Sequence, residues 1–208
     1  MDSRVGYIYS YFDKGILSPN EYKLRRRTTG IGIVVSDSYN IVRIASLELH
    51  NNMELYPFME GEGCLDDLNE VQSFSKECNG IRDLSGRSNT SNIIKSSCDS
   101  TKFVWNSIRY SNEIYSKYKN EVSTWYVPSL GELKRLYDSR DKVLSSMELC
   151  NIKNCDLYKA LTSNEFNLVS TTQASDKEVY CMDIVNGLIS KVNKTENVRG
   201  ISFKMLCI

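Results

Sequence analysis

Trp125-Tyr126-Val127-Pro128-Ser129-Leu130-Gly131-Glu132-Leu133 is the stretch that decides how this chain folds. Two aromatics run into Pro128, which keeps the residue before it extended. Ser129 followed three positions later by Glu132 forms a capping box ahead of an apolar run. Each partner satisfies a backbone N–H that the first helical turn would orphan. The stretch therefore predicts a buried strand end passing straight into a capped helix. Leu133, Leu136, Tyr137, Leu144 and Met147 recur on the inward side of that helix, from Leu130 to about Leu149. Glu132 with Arg135, and Asp138 with Lys142, are expected on its wet face, each pair adding about 0.3 kcal/mol.

Working outward, the first third of the chain reads as β structure. Val5 to Tyr9 is strand-like. Ile31–Val35 and Ile41–Leu47 flank turn residues Ser36 to Asn40, predicting a hairpin with one face buried. From Asn51 to Asp67 the chain loses period and reads as a long loop broken by Pro57, Gly61 and Gly63. Leu68, Val71 and Phe74 suggest a short helix to Cys78, and Gly80 to Asn89 is turn-rich. Helices are expected over Thr90–Cys98, with Ile93 and Ile94, and from Ser100 to about Lys119. The second carries Val104, Ile108, Ser111, Tyr115 and Tyr118 on one face, with Trp105 beside it.

The last quarter returns to strands. Glu178–Val185 alternates, Asn186-Gly187 predicts a type I′ turn, and Leu188–Asn193 is the partner strand. A polar turn, Lys194 to Asn197, leads to a final strand with Ile201, Phe203, Met205 and Cys207 on one side. Strands, helices, then strands make an α+β domain rather than repeated βαβ units. One domain over 1–208 is expected. It comprises N-terminal strands and hairpin (1–50), a loop-rich insert (51–89), helices (90–150) and a terminal sheet (165–208).

Composition narrows the function. Lys+Arg 26 against Asp+Glu 26 leaves no net charge, which argues against a nucleic-acid binder. The only basic run, Arg25-Arg26-Arg27, is expected to be solvated, with an anion contact as the sharper alternative. The seven cysteines (64, 78, 98, 150, 155, 181, 207) show no Cys-x-x-Cys spacing, so a zinc ribbon is not expected. Cys150 and Cys155 sit close enough in sequence for a disulfide around a short loop. Cys181 and Cys207 read as small buried hydrophobes in strands. The lone His50, expected in a loop, gives little material for a histidine metal site or catalytic triad. Asp66-Asp67 reads as a solvated helix start, so no metal and no cofactor are expected. No apolar run approaches the roughly 18 residues a membrane-spanning helix needs.

The Trp-Tyr-x-Pro-Ser-x-Gly-Glu-Leu string resembles a signature of bacterial C-type-lectin-like domains, the family typified by the C-terminal domain of collagen-like adhesins. Val5 to Ser10 with Asp13-Lys14-Gly15, Ile31 to Val35, Asp83 to Thr90, Asn186-Gly187 and Asn197-Val198-Arg199 resemble further segments of that family in the same order. One departure stands out. Where the family usually has Tyr-Trp-Ser-Ser-Thr, this chain has Leu168-Val169-Ser170-Thr171-Thr172, losing both aromatics and keeping the hydroxyl run.

The resemblance implies a C-type-lectin-like fold and non-catalytic ligand recognition or adhesion by a bacterial secreted or surface protein, with a leader missing from this chain. The partner would be a glycan, a host or matrix protein, or another surface subunit. In such folds ligands meet loops of the terminal sheet, which here nominates Ser170, Thr171, Thr172, Gln173, Asp176, Lys177, Asn193, Asn197 and Arg199. Calcium-dependent sugar binding is not implied, because there is no Glu-Pro-Asn or Gln-Pro-Asp loop and Trp105-Asn106-Ser107 lacks an acidic third residue. Two alternatives stand: a structural or accessory subunit of a surface appendage, and an oxidase-like enzyme on a lectin-like fold. The latter works through reactive cysteines, with Cys181 and Cys207 nearest in position, and needs an accessible, electropositive thiol.

Overall fold

The computed structural model describes residues 3–10, 15–25, 28–38, 40–53, 55–58, 72–95 and 125–207. The expected helix from Ser100 to Lys119 and the Asp66-Asp67 pair lie outside these residues, as do Cys64 and Cys98. Among the described residues the architecture is α+β, with antiparallel pairing throughout the sheets.

The main sheet has five strands, β1 (Ile8–Ser10), β2 (Gly15–Leu17), β3 (Gly30–Ser38), β4 (Ile41–Leu49) and β10 (Ile201–Cys207), in the order β10-β4-β3-β1-β2. Register places Phe203, Ala45, Ile33, Ile8 and Leu17 in one row across it, all buried. The opposite face is buried too, by a cluster of Tyr9, Ile31, Val34, Val42, Ile44 and Trp125. That corrects the expected one-faced hairpin: Ile33, Val34 and Val35 are consecutive and all buried, the pattern of a strand covered on both sides. The ladder also runs past the expected turn to Ser38↔Ile41, and Asn40 closes the hairpin at φ 64°.

A three-stranded sheet, β6 (Asn167–Gln173), β7 (Glu178–Asp183) and β8 (Ile189–Asn193), stands beside it. A short ladder joins β5 (Tyr56–Pro57) to β9 (Asn197–Val198). The hairpin between β7 and β8 is wider than a type I′ turn. Gly187 alone of the pair takes positive φ, at 74°, and its N–H donates to the Asp183 carbonyl at 2.8 Å. Asp183 accounts for the difference, since its carboxylate accepts from the Val185 N–H and the Asn186 side chain and holds a longer loop.

Helices α1 (Pro19–Leu24), α2 (Glu77–Gly80), α3 (Gly86–Lys95), α4 (Leu130–Asp138), α5 (Arg140–Leu149) and α6 (Asp156–Leu161) fill the middle. The expected 130–149 helix is broken at Ser139, which ends α4 and begins α5. Leu133, Leu136 and Met147 point inward as expected, joined by Val143. α3 starts at Gly86, ahead of the expected Thr90, because Asp83 Oδ1 takes the Ser85 N–H at 2.8 Å. In the described part of 68–78, helix appears only from Glu77; Ser73 forms an isolated bridge to Gln173. α1 carries its own capping box, Ser18 with Glu21, and Pro19 at its first turn.

Candidate functional site

The segment from Trp125 to Leu133 is the hub on which the domain is assembled. Tyr126 exchanges two backbone hydrogen bonds with Phe203 (2.8 and 2.7 Å), covering the outer edge of β10. The Thr90 hydroxyl of α3 both donates to the Val127 carbonyl and accepts its N–H, each at 3.1 Å. The Pro128 carbonyl accepts the Thr171 N–H of β6 at 2.9 Å. One extended segment thus ties both larger sheets to α3.

The first turn of α4 is then capped from three directions. Glu132 Oε2 reaches back to the Ser129 N–H at 3.0 Å, and the Ser129 hydroxyl donates to the Asp83 carbonyl at 2.7 Å. The Leu130 N–H is taken by the Thr172 hydroxyl at 2.8 Å, and the Gly131 N–H by the Asp83 carbonyl at 3.1 Å. Glu132 itself is wholly buried, so its expected place on a wet face is corrected. Its carboxylate accepts from Arg43 Nε and from the Tyr126 hydroxyl, both at 2.9 Å. Arg135, its expected partner, donates to Ser36, and Asp138 pairs with Lys134 rather than Lys142. Burial raises the Glu132 pKa against the pull of the Ser129 N–H and Arg43. Burial, and then the charge of Glu132, raise that of Tyr126. A buried ion pair of this kind fixes geometry more than it adds stability.

This network corrects the expected display of the hydroxyl run. Ser170, Thr171 and Thr172 are fully buried in β6, not on a loop. Ser170 donates to the Tyr180 carbonyl, and Thr172 donates to Asp83 Oδ2 at 2.7 Å while capping α4. The Asn89 amide reaches both Asp83 (3.1 Å) and the Thr171 hydroxyl (3.4 Å). The aliphatic pair Leu168 and Val169, just before the hydroxyl run, fills core.

Gln173 is buried as well, and it forms part of a brace. The side chain of Lys194, wholly buried, donates to the Gln173 carboxamide oxygen and to the Asp176 carbonyl, the latter at 2.7 Å. The Lys194 N–H bonds the Lys177 carbonyl at 2.9 Å. The brace fastens the β6–β7 loop to the turn after β8. Asn193 organises that turn: its side-chain oxygen accepts from the Thr195 N–H (3.0 Å) and hydroxyl (2.9 Å), the geometry of an Asx turn.

The exposed side chains left on this rim are Asp176, Lys177, Thr195, Glu196 and Asn197. Asp176, Lys177 and Asn193 are therefore brought together as expected of one surface. Asn197 lies at the β9 end, paired with Pro57. Arg199 is turned inward, with Nε donating to the Met53 carbonyl at 3.2 Å and its guanidinium 5.1 Å from the Phe166 ring. Thr195 and Glu196 were not among the expected contacts, although Asn-x-Thr turn chemistry marks the spot in sequence.

Thiols and histidine sit elsewhere. Cys150 and Cys155 are both free; Cys150 donates toward the Pro19 carbonyl and Cys155 accepts the Tyr158 N–H at the start of α6. Burial pushes the Cys181 thiol up to about 12 and raises those of Cys150 and Cys155. Cys207 is exposed, not the buried residue expected, because β10 leaves the core over its last three residues. His50 is buried, not in an open loop, with Nε2 2.8 Å from the Ser202 hydroxyl, and burial lowers its pKa to about 3. Of the basic triplet only Arg25 is described, and it is exposed. Among the described residues no group of three His, Cys, Asp or Glu is placed to hold a metal ion, and no helix is long and apolar enough to cross a membrane. No family model, no curated protein and no solved structure matches this chain.

Proposed function

We propose that this chain is a recognition domain with a C-type-lectin-like arrangement, acting without catalysis on behalf of a bacterial surface or secreted protein. Its ligand meets the rim formed by the β6–β7 loop and the turn after β8. The observation that carries the reading is the buried Lys194 brace, which holds two polar loops in fixed relation beneath exposed Asp176, Lys177, Thr195 and Asn197. A buried lysine is costly unless its donors are satisfied. Here that cost is met in order to fix loops, which is how binding sites are commonly carried on a rigid scaffold. Support for the lectin-like arrangement comes from β1 and β10 sharing one sheet, with the helices between them in sequence. Support for a non-catalytic role comes from the raised thiols and the buried histidine.

The test is a screen of the purified protein against glycans and matrix proteins, with and without calcium. A saturable hit that weakens about tenfold or more in Lys177→Glu combined with Asn197→Ala is the expected result. If the folded protein retains nothing from the screen, or the hit survives those changes, the rim is not the site and the surface-subunit alternative takes its place.

A further inference from the structure

The outer side of α3 carries an open pocket of about 400 Å³. That volume falls within the range of small-ligand sites. α3 buries Asn89, Thr90 and Ile93 on one side, so Ser88, Ser91, Asn92 and Lys95 occupy the other by helical geometry. Arg87 and Lys95, both exposed, stand at its two ends. Eight residues of helix separate them by about 12 Å. Between the cations the wall offers the hydroxyls of Ser88 and Ser91 and the amide of Asn92, with Ser85 at the first turn. Leu84 and Met205 supply its apolar surface.

Among the described residues, neither a carboxylate nor an aromatic ring lines it. Two cations at the ends of the pocket concentrate a local positive potential on a chain of zero net charge. The ligand must therefore be an anion, and an elongated one, with negative groups far enough apart to meet both ends. Its middle must be rich in groups that both donate and accept hydrogen bonds, because hydroxyls and an amide do both.

We propose that this pocket binds an anionic oligosaccharide, its sulfate or carboxylate groups meeting Arg87 and Lys95 and its sugar hydroxyls meeting Ser88, Ser91 and Asn92. This site is separate from the terminal rim, and it stands or falls independently of it.

The experiment is isothermal titration of the intact protein with a heparin-derived hexasaccharide. A single-stranded oligonucleotide and a doubly phosphorylated peptide serve as competing ligand classes. Wild type is expected to saturate with the hexasaccharide. Arg87→Glu with Lys95→Glu is expected to weaken binding about tenfold or more, and Arg87→Gln with Lys95→Gln about threefold or more. Lys23→Glu with Lys153→Glu makes the same change in net charge elsewhere and is expected to stay within about twofold. Near-ultraviolet circular dichroism checks each fold, and the glutamine pair decides the matter if the glutamate pair does not fold. Three results overturn the proposal: no saturable binding, an equal loss in the Lys23/Lys153 control, or tighter binding of the oligonucleotide or phosphopeptide than of the hexasaccharide.

Discussion

His50, the single histidine of the chain, shows how one residue's surroundings become a property of the whole protein. Its ring is buried beside Ser202, and burial lowers its pKa from 6.5 to about 3. The unfolded chain thus binds a proton there more readily than the folded one at any pH between those values. Its contribution to stability is complete above about pH 6.5 and is lost as pH falls from there toward 3. Unfolding by denaturant should therefore show stability falling by about 1 kcal/mol between pH 7 and pH 5.5. His50→Asn should flatten that slope. A slope that persists unchanged in the variant would assign it to other groups.

At the scale of the element, α4 shows local propensity overruled by packing. Gly131 lies in the first turn of a helix, where alanine would be favoured by about 1 kcal/mol. A Cβ built there would lie 2.3 Å from the Asp83 carbonyl oxygen and 2.6 Å from that of Ile81, both backbone atoms with little freedom to retreat. Gly131→Ala is accordingly expected to destabilise the protein by about 2 kcal/mol or more, read as a lower Tm. Stabilisation instead would mean that the 81–83 segment yields. The break at Ser139 is of the same kind. The apolar repeat runs through it, yet the chain ends one helix and begins another there, with the Ser139 hydroxyl donating to the Leu136 carbonyl at 3.2 Å.

Across the whole molecule the cysteines report which surfaces are closed. Cys78 and Cys207 are exposed, whereas Cys181 is buried and its thiol is raised to about 12. Native alkylation followed by peptide mass spectrometry should label Cys78 and Cys207 quickly and Cys181 only on unfolding. Rapid labelling of Cys181 would favour the oxidase-like alternative, which needs a reactive thiolate in reach of solvent. The recognition reading predicts that full modification of Cys78 and Cys207 leaves binding at the rim intact.

Much of the fold was legible in the residues themselves. The capped start of α4, the β3–β4 pair, the β7–β8 hairpin and the final strand follow from turn chemistry, capping and apolar spacing, all of which act within a few residues. α1 was equally legible in Ser18-Pro19 with Glu21. The candidate site was less so. The structure places Asn193 and Lys177 on one rim, whereas Ser170, Thr171 and Thr172, which read in sequence as a displayed polar loop, are buried. Glu132 likewise looked like a solvated helix residue. Their burial depends on partners far away in sequence: Arg43, 89 residues from Glu132, and Asp83, 89 residues from Thr172. A polar side chain carries the same letters whether water or protein satisfies its hydrogen bonds. Sequence by itself therefore determined the main strands and helices and their order, while only the tertiary structure decided which polar groups are spent inside the molecule and which remain to meet a ligand.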